Sequence, residues 1–257
     1  MRRVDRVIAR LLHLERPLLV ALDVDGTISP IVRDPDTAEI PTNTMTLLEE
    51  LSDAPGIVLA LITGRDLSSL QRMEQLDGIW RAVEHGGLVL GPNEAPGPRR
   101  LSEAQQAALG EFKRWVDAHA QDAFIEFKPQ AVAVHVRGIA MHDPERAERL
   151  MAEADALAQR LGLHVRRGKA LREAELVSHD KGVALREILE RSGARSVLFI
   201  GDDLTDFPAI ELAAERGVGA FVSSHEQRGA PSSSAVVLDG IDEVAAMLRG
   251  LLEAIRG

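Results

Sequence analysis

Short apolar runs alternate along this chain with longer stretches in which apolar residues recur at helical spacing. Leu18–Leu22, Ile57–Ile62 and Ser196–Ile200 are the clearest runs, and bounded runs of this length read as buried strands. Helical spacing returns at Thr44–Leu51, from about Leu67, and at Gly182–Arg191. Weaker strand patterns lie near Ala82–Val83 and at Leu88–Leu90, Gly219–Val222 and Ala235–Leu238, and an amphipathic helix from Asp242 closes the chain. Alternation of this kind predicts an α/β fold with a mainly parallel sheet covered on both faces.

Gly91–Pro98 is the densest Pro/Gly stretch and marks a domain boundary. Beyond it come a helix from Ser102 to about Ala120, a strand at Phe124–Phe127 and an alternating strand at Ala131–Val136. Asp143-Pro144 then opens a long helix to about Leu161, since proline is favoured in a first helical turn, and a further strand precedes Gly168. This reads as a small α/β domain inserted into the first pattern, which resumes past Lys181. The expected division is a core of 1–97 and 173–257 with the insert at 98–172. On alternating strands Glu126 shares a face with Lys128, and His135 with Arg137, opposite Val132, Val134 and Val136. Such a face suits a hydroxyl-rich ligand; it is also what an ordinary sheet with one wet face and cross-strand ion pairs looks like.

At 257 residues, 45% hydrophobic and 27% charged, the chain has ample core for one large domain or two modest ones. It has no cysteine, which excludes disulfides and thiolate metal sites and fits a reducing, cytoplasmic setting. A formal net charge of −10 argues against nucleic acid or an anionic membrane as partner, while a locally basic pocket can still take a small anion. No apolar run approaches a membrane span. Met1–Arg16 is basic, but Val4, Val7, Ile8, Leu11 and Leu12 fall at helical spacing among Asp5 and Glu15, which predicts a surface helix rather than a targeting peptide. A monomer acting on a small molecule is the expected state.

Four features sit after predicted strands or at a helix start: Asp23 with Asp25, Thr63, Lys181, and Asp202 with Asp203 and Asp206. In open α/β sheets, ligands bind beyond the carboxyl ends of the strands. Asp23 and Asp25 lie two apart on an extended segment and can point at one site, where close carboxylates need a cation or a shared proton. Mg²⁺ takes one or two carboxylates and keeps waters; Asp23 and Asp202 could supply them, with a backbone carbonyl near Asp25. Thr63 offers a hydroxyl, Gly64 an amide near a helix N-terminus, and Lys181 a point charge for phosphate oxygens or for a nucleophile's carboxylate. Asp23 could attack phosphorus while Asp25 protonates the leaving alcohol and then deprotonates water. Taken singly, Thr63-Gly64 is also plain turn chemistry, Lys181 a solvated lysine, and the Asp202 cluster a helix cap. Their order on successive strand ends favours one site.

Asp23-x-Asp25-Gly26-Thr27, Thr63-Gly64-Arg65, Lys181-Gly182 and Gly201-Asp202-Asp203-x-x-Asp206 together resemble the haloacid dehalogenase superfamily of phosphatases. The resemblance implies a Rossmann-like core with an inserted cap, Mg²⁺ dependence, Asp23 as nucleophile and Asp25 as general acid and base. It implies phosphate contacts at Thr63 and Lys181 and a metal ligand at Asp202, supported by Asp206 or Asp203; Asp23, Asp25, Asp202, Asp203 and Asp206 are thus the metal-site candidates. Gly26–Val32, Pro35, Glu84-His85-Gly86, Glu126-x-Lys128, His135-x-Arg137 and Gly168-Lys169-x-x-x-Glu173 further resemble the trehalose-6-phosphate phosphatase family. By that resemblance Glu126, Lys128, His135, Arg137, Glu173 and His85 would contact the sugar, and Gly64 and Arg65 belong to the substrate-binding set. The chain departs from that family's pattern at Phe207, where an acid is usual, at Val136, where an aromatic is usual, and at Ala174-Glu175-Leu176, where a basic residue and proline are usual. A phosphatase for another sugar phosphate, of glucosyl- or mannosyl-glycerate type, and a non-catalytic sugar-phosphate-binding homologue are the alternatives.

Overall fold

A computed structural model describes residues 3–32, 34–97, 102–127, 130–168, 170–176, 180–223 and 234–257. The chain divides into two compact units, Met1–Pro96 with His179–Gly257, and Gly97–Ser178.

The first unit opens with α1 (Arg3–Leu12), which buries Val7 and Leu11, and continues through β1 (Leu18–Leu22), α2 (Thr42–Ser52), β2 (Ile57–Ile62), α3 (Leu67–Met73), β3 (Trp80–Val83) and β4 (Leu88–Leu90). The second unit then runs through α4 (Glu103–His119), β5 (Phe124–Phe127), β6 (Ala131–His135), α5 (Arg137–Ala140), α6 (Pro144–Arg160), β7 (His164–Gly168) and β8 (Leu171–Glu175). The chain returns with α7 (Lys181–Ser192), β9 (Ser196–Gly201), α8 (Phe207–Arg216), β10 (Gly217–Ser223), β11 (Val236–Asp239) and α9 (Gly240–Arg256).

In the first unit the strand order is β11-β10-β9-β1-β2-β3-β4, parallel throughout except for the β3–β4 pair. Every residue of β1 is buried because both faces are covered. Leu18, Val20 and Leu22 pack in the cluster that takes in α1, α2 and α9, whereas Leu19 and Ala21 pack with α7 and α8. From β1 the chain moves outward through β2 and β3, and from β9 it moves the other way through β10 and β11. The loops after β1 and β9 therefore diverge, which opens a crevice at the carboxyl ends of these adjacent strands.

The second unit is an antiparallel sheet in the order β5-β6-β8-β7. Val132, Val134 and Ala174 project from one face into a core with Phe112 and Val116 of α4 and Leu150, Ala154 and Leu157 of α6. A capping box between Ser102 and Gln105 starts α4, and the Asp143 side chain accepts from Arg146 N to start α6 with Pro144 in its first turn.

Two details differ from the sequence-based expectations. The strand at Ala131 ends at His135; Val136 turns to φ −101° and ψ 13°, so Arg137 opens α5 instead of sharing a strand face with His135. Glu173, Ala174 and Glu175 lie in the second unit rather than the core, because β8 runs through them and pairs with β6 from Leu171 to Glu175. The side-chain pattern of β8 reads Leu-Arg-Glu-Ala-Glu, with too few apolar positions to announce a strand.

Candidate active site

Asp23 follows β1 directly, and its amide donates to Ile200 O of β9 at 2.9 Å, so the residue stays in the extended line of the sheet. Its place in the alternation is that of Leu19 and Ala21, on the α7 side. Lys181 is the first residue of α7, whose start is fixed by Asp180: the capping carboxylate accepts from Gly182 N at 2.7 Å and Val183 N at 3.2 Å. The Lys181 ammonium donates to Asp23 Oδ1 at 2.7 Å and to Asp206 Oδ1 at 2.6 Å. The other oxygen of Asp206 accepts from the amides of Asp202 at 3.0 Å and Asp203 at 2.9 Å. Asp206 is wholly buried and binds the loop after β9 to the loop after β1 through a single lysine. Neither the Asp180 cap nor this bridging use of Asp206 was anticipated, although an Asp immediately before Lys-Gly is a recognisable cap signal. Gly26 sits at φ +80°, and a Cβ there would lie 1.9 Å from Asp202 Oδ2, so only glycine lets that carboxylate lie against the β1 loop.

Oxygens of Asp23, Asp202 and Asp206 all lie within 4.8 Å of one another and all three residues are buried. Burial pushes the Asp23 carboxyl well above its ordinary value, with Lys181 opposing and Asp206 adding to the push. Burial, then Asp206, raise Asp202 to about 6, against the pull of Lys181. Burial draws the Lys181 ammonium down, yet Asp23 and Asp206 outweigh it and hold it above its ordinary value. Three carboxylates against one ammonium leave an excess of negative charge in a place with little water. An all-oxygen donor set with that excess fits a hard divalent cation such as Mg²⁺, and Asp23 and Asp202 are placed to hold one while Asp206 buttresses the loop. Of the other two metal-site candidates, Asp203 accepts from the Thr205 hydroxyl at 3.2 Å and helps to close the turn at Leu204–Asp206, and Asp25 is directed elsewhere.

Asp25 lies in the grip of Arg65, whose Nε and Nη2 each donate to a different carboxylate oxygen at 2.7 Å. Thr63 is buried at the end of β2, with its hydroxyl accepting from Arg65 N at 3.2 Å. His85 N donates to Thr63 O at 2.9 Å, and Glu84 N to Arg65 O at 2.8 Å. Glu84 and His85 both hold φ at +55°, a costly conformation for residues with side chains. The imidazole is thereby set against Gly64, where a Cβ would come within 2.5 Å of the ring. Asp23, Asp25, Thr63, His85, Lys181 and Asp202 line one cavity of about 680 Å³, with Ile31 and Val32 exposed at its edge.

A family model described as trehalose-phosphatase matches residues 21–242. The chain belongs to the trehalose-phosphatase family. An uncharacterized glycosyl hydrolase of Mycobacterium tuberculosis is 34% identical over 237 residues, 88% of this chain and 17% of that protein. A trehalose-phosphate phosphatase of Mycobacterium ulcerans is 30% identical over 247 residues, 91% of this chain and 61% of that protein. The chain therefore spans less than two thirds of these relatives' length. The fold matches an Aspergillus fumigatus trehalose-6-phosphate phosphatase with a TM-score of 0.79 at 23% identity, covering 99% of this chain and 98% of that one.

Within the second unit of this trehalose-phosphatase family member, Glu126 lies opposite Ala133 in the β5–β6 register, and Glu173 lies opposite Ala133 on the other side. Glu126, His135 and Glu173 therefore share one sheet face, with His135 Nε2 3.7 Å from Glu126 Oε2 and its ring 5.3 Å from that of Phe124. Arg137 stands beyond the strand at the head of α5, and Lys128 lies outside the described residues. The three departures from the family pattern have local partners. Phe207 opens α8 and meets Phe221 edge-on at 5.7 Å, and Val136 is fully buried in the core of the second unit. Glu175 is buried beside Glu173, and Arg166, cross-strand from Glu173 on β7, bonds to Glu173 and reaches Glu175 Oε1 with its Nε at 3.2 Å.

Proposed function

We propose that this chain is an Mg²⁺-dependent phosphatase that hydrolyses trehalose 6-phosphate to trehalose and inorganic phosphate through an aspartyl-phosphate on Asp23. The observation that carries the reading is the buried Asp23–Lys181–Asp206 link at the divergence of the β1 and β9 loops, in a chain of the trehalose-phosphatase family.

In the first step an Asp23 oxygen attacks phosphorus, the bond to the sugar oxygen breaks, and Asp25 delivers a proton to that oxygen. Lys181 orients Asp23 and opposes the burial that raises its carboxyl, while the Thr63 hydroxyl and the Gly64 amide face the phosphoryl oxygens. In the second step water attacks phosphorus, Asp25 takes its proton, and the bond to Asp23 breaks to release phosphate. Asp23 and Asp202 would hold a divalent cation, which when bound would supply positive charge to the phosphoryl group and offset the surplus of buried carboxylates. Glu126, Lys128, His135, Arg137 and Glu173 would recognise the sugar hydroxyls, with His85 as a further contact. The partner is a small sugar phosphate, with a monomer favoured and a cytoplasmic setting suggested by the lack of cysteine. Among the described residues no helix is long and apolar enough to cross a membrane.

Phosphate release from trehalose 6-phosphate, beside other sugar phosphates and with Mg²⁺ or EDTA, tests the reading. Preferential release that EDTA abolishes supports it. Release from a glucosyl- or mannosyl-glycerate phosphate alone keeps the chemistry and replaces the sugar. Binding with no release from any ester leaves a non-catalytic sugar-phosphate binder.

A further inference from the structure

Four of the five N–H donors of the Arg65 guanidinium are engaged within the protein. Its Nε and Nη2 hold Asp25, and its Nη1 donates to Pro35 O at 2.9 Å and to Ser69 Oγ at 3.0 Å. The backbone on either side is tied down as well, Arg65 N to the Thr63 hydroxyl and Arg65 O to the Glu84 amide. The guanidinium side chain is 10% exposed while that of Asp25 is 38% exposed, so the arginine forms the wall and the carboxylate faces the cavity. A bidentate fork of this kind fixes the plane of a carboxylate and not merely its charge.

We propose that Arg65 is the positioning residue for Asp25, orienting its carboxyl group toward the ester oxygen, and that it makes no contact with the phosphate itself. The inference rests on the reading of Asp25 as the proton donor and acceptor. In the step concerned the phosphorus–oxygen bond to the leaving group breaks, the electron pair goes to that oxygen, and the Asp25 proton joins it. An aryl leaving group such as p-nitrophenolate departs without that proton, whereas an alkoxide does not. A group that orients the donor therefore affects alkyl esters selectively, and a group that binds phosphate affects all esters alike.

The test measures kcat/KM, which reports steps up to phosphoryl transfer, for p-nitrophenyl phosphate, phenyl phosphate and a small alkyl phosphate, none of which carries a sugar. Wild type, Arg65→Ala, Arg65→Lys and Asp25→Asn are compared in the presence of Mg²⁺. For Arg65→Ala the alkyl ester is expected to lose about 10²-fold and p-nitrophenyl phosphate less than about 5-fold, with Arg65→Lys intermediate because one ammonium cannot reproduce the fork. Equal loss across the series would overturn the proposal in favour of a phosphate contact or a general loss of structure, and no loss would overturn it outright. Asp25→Asn separates the two ideas. If it shows no leaving-group selectivity, the role of Asp25 is wrong; if it does and Arg65→Ala does not, only the positioning role fails.

Discussion

In the first unit Asp23, Lys181, Asp202 and Asp206 are buried, and the bonds from Lys181 and to the Asp206 carboxylate are all 3.0 Å or shorter. In the second unit Glu126 and His135 have side chains 48% and 35% exposed and stand 3.7 Å apart. The contrast follows from what each set is proposed to do. Bond-making needs charges held away from water, where they act strongly and cost reorganisation in advance; recognition needs groups that a ligand can still reach. Glu173 and Glu175 are the exception in the second unit, buried carboxylates that depend on Arg166.

The contrast breaks first at the nucleophile. Asp23→Asn is expected to reduce phosphate release by more than about 10³-fold with the fold retained, read by steady-state kinetics beside circular dichroism. Lys181→Met should abolish turnover and also destabilise the protein by about 3–5 kcal/mol in urea unfolding, because it strips the one cation from three buried carboxylates. Unchanged stability would mean that the carboxylates are neutral or that water reaches them. In the second unit, Glu126→Ala or Arg137→Ala should raise KM for trehalose 6-phosphate by about 10-fold or more and disturb a small aryl phosphate far less, with little change in melting temperature.

The smallest effect is one of pH. Asp202 titrates at about 6 against an ordinary 3.8, so the folded metal-free protein binds that proton more tightly than the unfolded chain. The associated stability is fully present below about pH 4 and is lost as pH rises through 6. Asp202→Asn should therefore stabilise the metal-free protein more at pH 8 than at pH 5, by about 3 °C or more in melting temperature. Mg²⁺ added at pH 8 should narrow the difference by stabilising the wild type alone. A difference independent of pH would show that the Asp202 carboxylate is not strained in the fold.

Most of the first unit was legible because β1, β2 and β9 are continuous apolar runs whose ends carry the chemistry, and burial on both faces leaves such strands little choice of place. The pairing of Asp25 with Arg65 was not legible, since forty positions separate them and only the parallel β1–β2 register brings their loops together. Arg137 was misplaced because the alternation Val134, Val136 continues past the point where the backbone leaves the sheet at Val136. Arg166 went unnoticed because its partners are set by the β7–β8 register, and register across a hairpin is fixed by its turn rather than by residue type.

The Asp180 cap has a consequence for how such a protein can diversify. Lys181 is registered by contacts that lie entirely on its own side of the junction: the cap into α7, and its bonds to Asp23 and Asp206. All of these bonds are made within the first unit. The local anchoring of the ammonium therefore travels with the sequence Asp180-Lys181-Gly182 itself, and a change of length upstream leaves the cap that sets it intact.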